Sequence, residues 1–366
     1  MSPQDRTRLA LECTRWLTGH PRTRHTARAL LEDVATSTDP NLLADTYGQG
    51  ELIAGFEKQV AALLGKESAV FMPSGTMAQP IALRIWADRR RTPHVAFHPL
   101  CHLEIHEQKG YQLLHGLHGV LVGSPHRLLT LDDLKQVREP LAAILLELPQ
   151  REIGGQLPAW DELTAIFAWA RERGIPLHLD GARLWECQPF YQRSYTEIAA
   201  LFDTTYVSFY KILGGIAGAM LLGPEDHIAE ARLWQRRHGG NLVRMFPFVL
   251  SAKQGLETRL DRMGQYHAKA IEIALALAAF PEIQVMPNPP HTNMLHVFVR
   301  GEANRLEQAA LDIAREQRIW MVNGWLPSQI PAYQKFELTV GDASLEFDAE
   351  GVTELFETLL KQAARV

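Results

Sequence analysis

The chain has 366 residues, with 37 lysines and arginines against 42 aspartates and glutamates, a formal net charge of −5. That balance excludes a protein that works through a basic field on nucleic acid or an anionic membrane. Three scattered cysteines, Cys13, Cys101 and Cys187, exclude a disulfide framework and suit a reducing compartment.

The N-terminus "MSPQDRTRLALE" lacks the continuous apolar core of a secretory signal. No run of about 18 uncharged apolar residues offers a membrane span. The expected location is the cytoplasm. The length allows more than one domain, and the expected division is an N-terminal arm or helical lead-in at 1–45, a large domain at 46–250 and a small domain at 251–366.

From Glu51 a helical pattern begins. Leu52, Ile53, Phe56, Val60, Leu63 and Leu64 fall at three- and four-residue spacings, and Gly65 fits the C-cap. A strand "SAVFM", a turn "PSGT" and the helical "MAQPIALRIWADRR" follow. The alternation continues through the strand "HVAFH", the helix start "HLEIHEQKG", the strand "GVLVGS" and the helix "TLDDLKQVRE". Next come "LAAILLEL", the helix "WDELTAIFAWARERG", and the strands "IPLHLD", "TYVSFYK" and "AGAMLLG". Near-continuous apolar strands alternating with helices predict a mostly parallel sheet with both faces covered, an α/β fold. Beyond residue 250 the pattern becomes α+β. A single long helix is predicted from Ser251 to Phe280, then the strand "TNMLHVFV", the helix "NRLEQAALDIAREQ", short strands near Trp320 and Phe336, and a last helix from Ala349.

Four segments place polar residues at predicted strand ends, where open α/β sheets bind ligands. In "FMPSGTMAQ" a strand runs through Ser74, Gly75 and Thr76 into a helix. The outward N–H groups of that helix start can hold a phosphate, and Gly75 lets it approach closely. The same residues also read as a plain N-cap. In "HVAFHPLCHLEIHE", His98, His102 and His106 have i, i+4, i+8 spacing beside Cys101. That spacing suits zinc on one helical face, but Pro99 disfavours a helix through His98, and no metal is expected. The His102 imidazole can instead stack on a planar ring.

In "HLDGARLWE", Asp180 ends an apolar strand, which is costly for a carboxylate without a partner. It can face a ring N–H⁺, and Arg183 can hold a carboxylate bidentately; alternatively the two pair with each other. In "SFYKILGGIAG", Lys211 can form a Schiff base or simply snorkel. Gly214, Gly215 and Gly218 are read as leaving room for a bulky group. A phosphate cradle, a stacking histidine, a carboxylate for a ring nitrogen and a Schiff-base lysine together are what pyridoxal 5'-phosphate (PLP) needs.

The stretches "DTYGQG", "GKESAVFMPSGTMAQ", "LPAWDELTAIFAWARERGIPLHLDGARLWEC", "YKILGGIAGAMLLG" and "HTNMLHVFV" resemble the threonine aldolase and β-eliminating lyase family of fold-type I PLP enzymes. The resemblance implies an aspartate-aminotransferase-like large domain and a smaller C-terminal domain. It implies retro-aldol cleavage of a threonine-like amino acid, with β-elimination or other Cα–H chemistry as the alternative, and a homodimer or homotetramer with shared sites.

Carried over by position, Lys211 would bond the cofactor, Asp180 would pair with its ring nitrogen, and Gly75 and Thr76 would hold its phosphate. His102 would stack on the ring, and Arg183 would bind the substrate carboxylate; the base for the β-hydroxyl is then His102 or an ordered water. Arg236 or Arg244 would reach a neighbouring subunit's phosphate, and Tyr47 would approach the substrate. Three departures stand out. "ELPQREIGGQLP" has no histidine where the family's turn carries one. Phe336, with Lys335 nearby, stands near the family's second carboxylate-binding arginine. Tyr210 replaces the serine usual before the lysine.

Overall fold

The computed structural model describes residues 1–21 and 26–365; of the predicted arm at 1–45, residues 22–25 lie outside the described residues. The described residues form two compact units. One comprises Met1–Asp33, Ile153–Gly155 and Asp261–Val366; the other comprises Val34–Glu152 and Gln156–Leu260.

The second unit is built on a seven-stranded sheet: β1 (Ser68–Met72), β2 (His94–Phe97), β3 (His118–Leu121), β4 (Ala143–Glu147), β5 (Leu177–Gly181), β6 (Thr204–Ser208) and β7 (Ala219–Gly223). The order across the sheet is β1-β7-β6-β5-β4-β2-β3. The β2–β3, β2–β4, β4–β5 and β5–β6 pairs are parallel, and β7 lies antiparallel between β1 and β6. Six strands therefore share one direction, as their apolar runs predict. The strands β4 to β7 are buried almost throughout, since helices on both faces leave no side for water.

One face closes over Val70, Met72, Ile81, Ile85, Tyr206, Leu221 and Ile228. Each such side chain contributes about 1.5–3 kcal/mol by leaving water. The helix Glu51–Leu64 ends on Gly65 in the left-handed region (φ 62°), as a glycine C-cap should.

The predicted helix from Ser251 to Phe280 is broken. The structure has one helix at Phe246–Arg259, a 3₁₀ turn at Leu260–Arg262 and a second helix at Met263–Leu277. Asp261 and Gly264, both weak in helix interiors, fall at the junction.

The other unit holds a four-stranded antiparallel sheet of β8 (Ile283–Met286), β9 (Met294–Arg300), β10 (Leu326–Pro327) and β11 (Tyr333–Thr339), in the order β10-β11-β9-β8. Phe336 is fully buried there, edge-on to Trp325 and stacked with Phe356. The first residues fold into the same unit. The helix Pro3–Glu12 leads to Arg15–Trp16, which pairs in parallel with Ile319–Trp320. Cys13, Trp16, Trp320 and Ala343 share one core cluster.

Histidines buried in the large unit make its stability depend on pH. His178 donates to or accepts from Thr204 Oγ1 at 2.9 Å, its Nε2 has no partner, and neither His227 nitrogen has one. Burial pushes both down to about 3 and His115 down to about 4. The unfolded chain binds these protons near pH 6.5 and the folded chain does not, so stability falls as pH drops below 6.5. At pH 5 the loss is about 2 kcal/mol per histidine. Denaturant titrations at pH 7.5 and pH 5 should show a lower midpoint at pH 5, and His178→Gln should reduce the difference. An unchanged midpoint would refute this assignment.

Candidate active site

β1, β2, β4, β5 and β6 all run the same way, so their C-terminal ends lie along one edge of the sheet. Each end leads to a residue singled out from the sequence or to its neighbour. β1 leads to Gly75 and Thr76, β2 to His102, β4 ends at Glu147, β5 carries Asp180 ahead of Arg183, and β6 leads to Lys211.

The β1 end turns into the helix Gly75–Arg90. Ser74 caps it, its hydroxyl accepting from the Met77 N–H at 3.3 Å. The Gly75 and Thr76 N–H groups precede the helical hydrogen-bond ladder and point out of the helix start, where negative charge is favoured. Gly75 is required by space. A Cβ there would come within 2.0 Å of the Tyr206 hydroxyl.

Asp180 is 1% exposed. Its Oδ1 accepts from the Ala182 N–H at 3.1 Å, and the Gln79 amide donates to the same carboxylate. Burial raises its pKa, opposed first by the nearby His102 and then by these hydrogen bonds. Asp180 stands beside Glu147 in the register of β4 and β5. Glu147 accepts from Gln150 Nε2 at 3.0 Å and from the Arg151 N–H at 3.2 Å. Burial, then the Asp180 charge, pushes it up to about 8, with Arg183 acting in the opposite sense. Two carboxyls this close cannot both ionise cheaply, and both are raised above the ordinary carboxylate range.

His102 sits in a short helix, His102–Ile105. Its Nδ1 meets Glu107 Oε1 at 2.9 Å, and the Glu107 side chain is 2% exposed. A carboxylate at Nδ1 favours the proton on that nitrogen and fixes the orientation of the ring. The His106 ring lies 5.1 Å from that of His102, and His106 Nε2 meets Glu152 Oε1 at 2.9 Å, with Arg151 on the same carboxylate at 3.0 Å. His98 instead contacts the Ser124 and Arg127 carbonyls, each at 2.9 Å. The three evenly spaced histidines thus have three different sets of partners.

Lys211 Nζ lies 5.1 Å from the centre of the Tyr210 ring. The Tyr210 hydroxyl is 3.3 Å from that of Tyr206. Gly215 and Gly218, after Lys211, have another task than the predicted one. A Cβ on Gly218 (φ +109°) would meet the Phe71 ring at 2.3 Å, and one on Gly215 would meet the Phe209 carbonyl at 2.8 Å. The space beside them is filled by the protein's own core.

Tyr47, Arg236 and Arg244 are exposed. Arg244 Nη1 donates to the Asp45 carbonyl at 2.5 Å and to Thr46 Oγ1 at 2.6 Å, while Asp45 accepts from the Met245 and Phe246 N–H groups at 2.9 and 2.8 Å. This ties "DTYGQG" to the start of the helix at Phe246. Tyr47 is held with φ 50°, unusual for an aromatic residue, by its N–H to the Val243 carbonyl at 3.1 Å.

Four neighbours were not singled out from the sequence. Glu147 closes an apolar strand as Asp180 does, so the same rule could have found it. Gln79 lies one turn beyond Gly75 on the same helix. Glu107 ends the histidine-rich stretch without a role of its own in the sequence, and nothing local marks Tyr206.

The β-eliminating lyase family model matches residues 39–302. A Listeria monocytogenes structure provisionally described as an L-allo-threonine aldolase is 44% identical, covering 98% of this chain and 99% of its own, with TM-score 0.92. Aldolase vrtJ of Penicillium aethiopicum is 32% identical over 75% of this chain and 71% of its own. Low-specificity L-threonine aldolase 1 of Arabidopsis thaliana is 24% identical over 76% of this chain and 81% of its own.

Proposed function

The chain belongs to the β-eliminating lyase family, and from that premise we propose that it is a PLP-dependent lyase that cleaves a threonine-like β-hydroxy-α-amino acid to glycine and an aldehyde. The observation that carries this reading is the convergence, on one sheet edge, of the Gly75 helix start, the buried Asp180 carboxylate, His102 and Lys211. These residues fit the cofactor. Asp180 is a buried carboxylate in need of a cation, and the Gly75 position has no room for a side chain.

When bound, the cofactor supplies an electron sink for the pair released at the substrate α-carbon. Asp180 would face its ring nitrogen and hold the positive charge there. The Gly75 and Thr76 N–H groups bind its phosphate. Lys211 Nζ would hold it through a covalent bond. Arg183 holds the substrate carboxylate through two parallel N–H donors. His102, aligned by Glu107 at its Nδ1, would cover the ring face and serve as the base for the β-hydroxyl proton. No observation here favours β-elimination.

The test is product analysis with threonine, allo-threonine, phenylserine and a cystathionine-like thioether. Glycine plus aldehyde is expected from the first three. A keto acid with ammonia as the main product would overturn the retro-aldol reading.

The remaining assignments rest on surface position. Leu43, Tyr47 and Val243 are exposed around the Asp45–Arg244 tie. We read this as a face covered by a second copy, with Arg236, Arg244 and Tyr47 serving the neighbour's site in a homodimer or homotetramer. A monomer in light scattering would overturn it. All the cofactor contacts named above fall within 46–250, which is read as the cofactor-binding domain; limited proteolysis that cuts inside it first would argue otherwise. Among the described residues no helix is long and apolar enough to cross a membrane. All three cysteines are buried, which supports a reducing, cytoplasmic location.

A further inference from the structure

We infer that Tyr210 is a ligand of the cofactor phosphate, with Tyr206 holding its hydroxyl in place. The inference rests on the cofactor reading above. Tyr210 immediately precedes Lys211, whose Nζ lies 5.1 Å from its ring centre. The hydroxyl at the far end of that ring faces the Gly75 backbone N–H, at the start of the helix Gly75–Arg90. One tyrosine therefore spans from the amine that bonds the cofactor to the amide that cradles its phosphate.

The hydroxyl is held from behind. Tyr206, 2% exposed, places its own hydroxyl 3.3 Å away. The missing side chain of Gly75 is what makes room for Tyr206, whose hydroxyl would lie 2.0 Å from a Cβ there. Gly75 thus serves two ends, close approach of an anion on one side and the seat of the tyrosine pair on the other. Burial keeps both phenols protonated well beyond neutral pH. Tyr210 is then an O–H donor at every physiological pH, which suits a phosphate that brings only acceptors. On binding, the Gly75 N–H turns to the phosphate, and the Tyr210 O–H donates to the same group.

The structure also accounts for the departure from serine before the lysine. Ser208, three residues before Lys211, donates to the Ala182 carbonyl at 2.8 Å and is engaged there. Tyr210 brings a hydroxyl to the helix start on a longer arm.

The experiment compares dissociation constants of PLP and of pyridoxal, which lacks the phosphate, by quenching of tryptophan fluorescence. Tyr210→Phe keeps the ring and removes the hydroxyl. A hydrogen bond to a charged group predicts PLP binding weakened about 10- to 100-fold, with pyridoxal changed by less than about twofold. Equal weakening of both ligands, or none, would overturn the inference. Tyr206→Phe is the second variant, and is expected to weaken PLP but not pyridoxal by a few-fold. If Tyr210→Phe does not fold and Tyr206→Phe leaves PLP binding unchanged, the inference also fails. A wild-type protein that binds neither ligand would overturn the cofactor reading itself, and this inference with it.

Discussion

Lys211→Ala is expected to lower turnover of threonine-like substrates by about 10³-fold or more, the scale of losing a covalent anchor and its proton-transfer role together. The visible absorbance of the loaded protein should disappear with it. The physical ground is position. Lys211 follows the end of β6 on the edge where the Gly75 helix start and Asp180 also lie, and its Nζ stands over the Tyr210 ring. Lys211→Arg should fail equally, because a guanidinium keeps its charge and is not a nucleophile at neutral pH. Absorbance spectra and single-turnover assays on both variants check this. A visible band surviving in Lys211→Ala would place the covalent bond elsewhere.

Asp180→Asn should cost about 10²- to 10⁴-fold in kcat, on the scale of the about 3–5 kcal/mol lost when one side of a buried ion pair is removed. The loss is electronic rather than steric. Asparagine fills the same space and can keep the bonds to the Ala182 N–H and Gln79, but it cannot hold a proton on the ring nitrogen. A second readout separates this role from simple packing. Glu147 is held up to about 8 by burial and by the Asp180 charge, so removing that charge should lower the Glu147 pKa. Carboxyl titration followed by NMR or infrared spectroscopy should show that downward move in Asp180→Asn and none in Gln79→Ala. An unchanged turnover would mean that Asp180 faces no cation.

The sheet was legible because its signal is local. Near-continuous apolar runs such as "LAAILLEL" suit strands buried on both faces, and they became β4 and its neighbours. The break at Leu260–Arg262 was not legible, since the apolar periodicity of the flanking helices runs through it and only two weak helix formers mark it. The glycines after Lys211 suggest ligand space, yet the positions beside Gly215 and Gly218 are filled by Phe209 and Phe71; a sequence shows that a side chain is missing but not what fills the gap. Phe336 stood near an expected arginine position and lies in an apolar core with Trp325 and Phe356.

By itself the sequence determined the strands of the large sheet, their mostly parallel arrangement and the residue types at their ends, because apolar period and turn chemistry act over a few neighbours. The pairing of carboxyls was decided only by tertiary structure. Glu147 and Asp180 are 33 positions apart in the chain, and only the β4–β5 register sets them side by side. The same holds for the Glu107 support behind His102 and for the tyrosine pair packed under Gly75. Electrostatic effects depend on distance and burial. Both are properties of the folded chain, fixed only once β1, β4, β5 and β6 lie in one sheet.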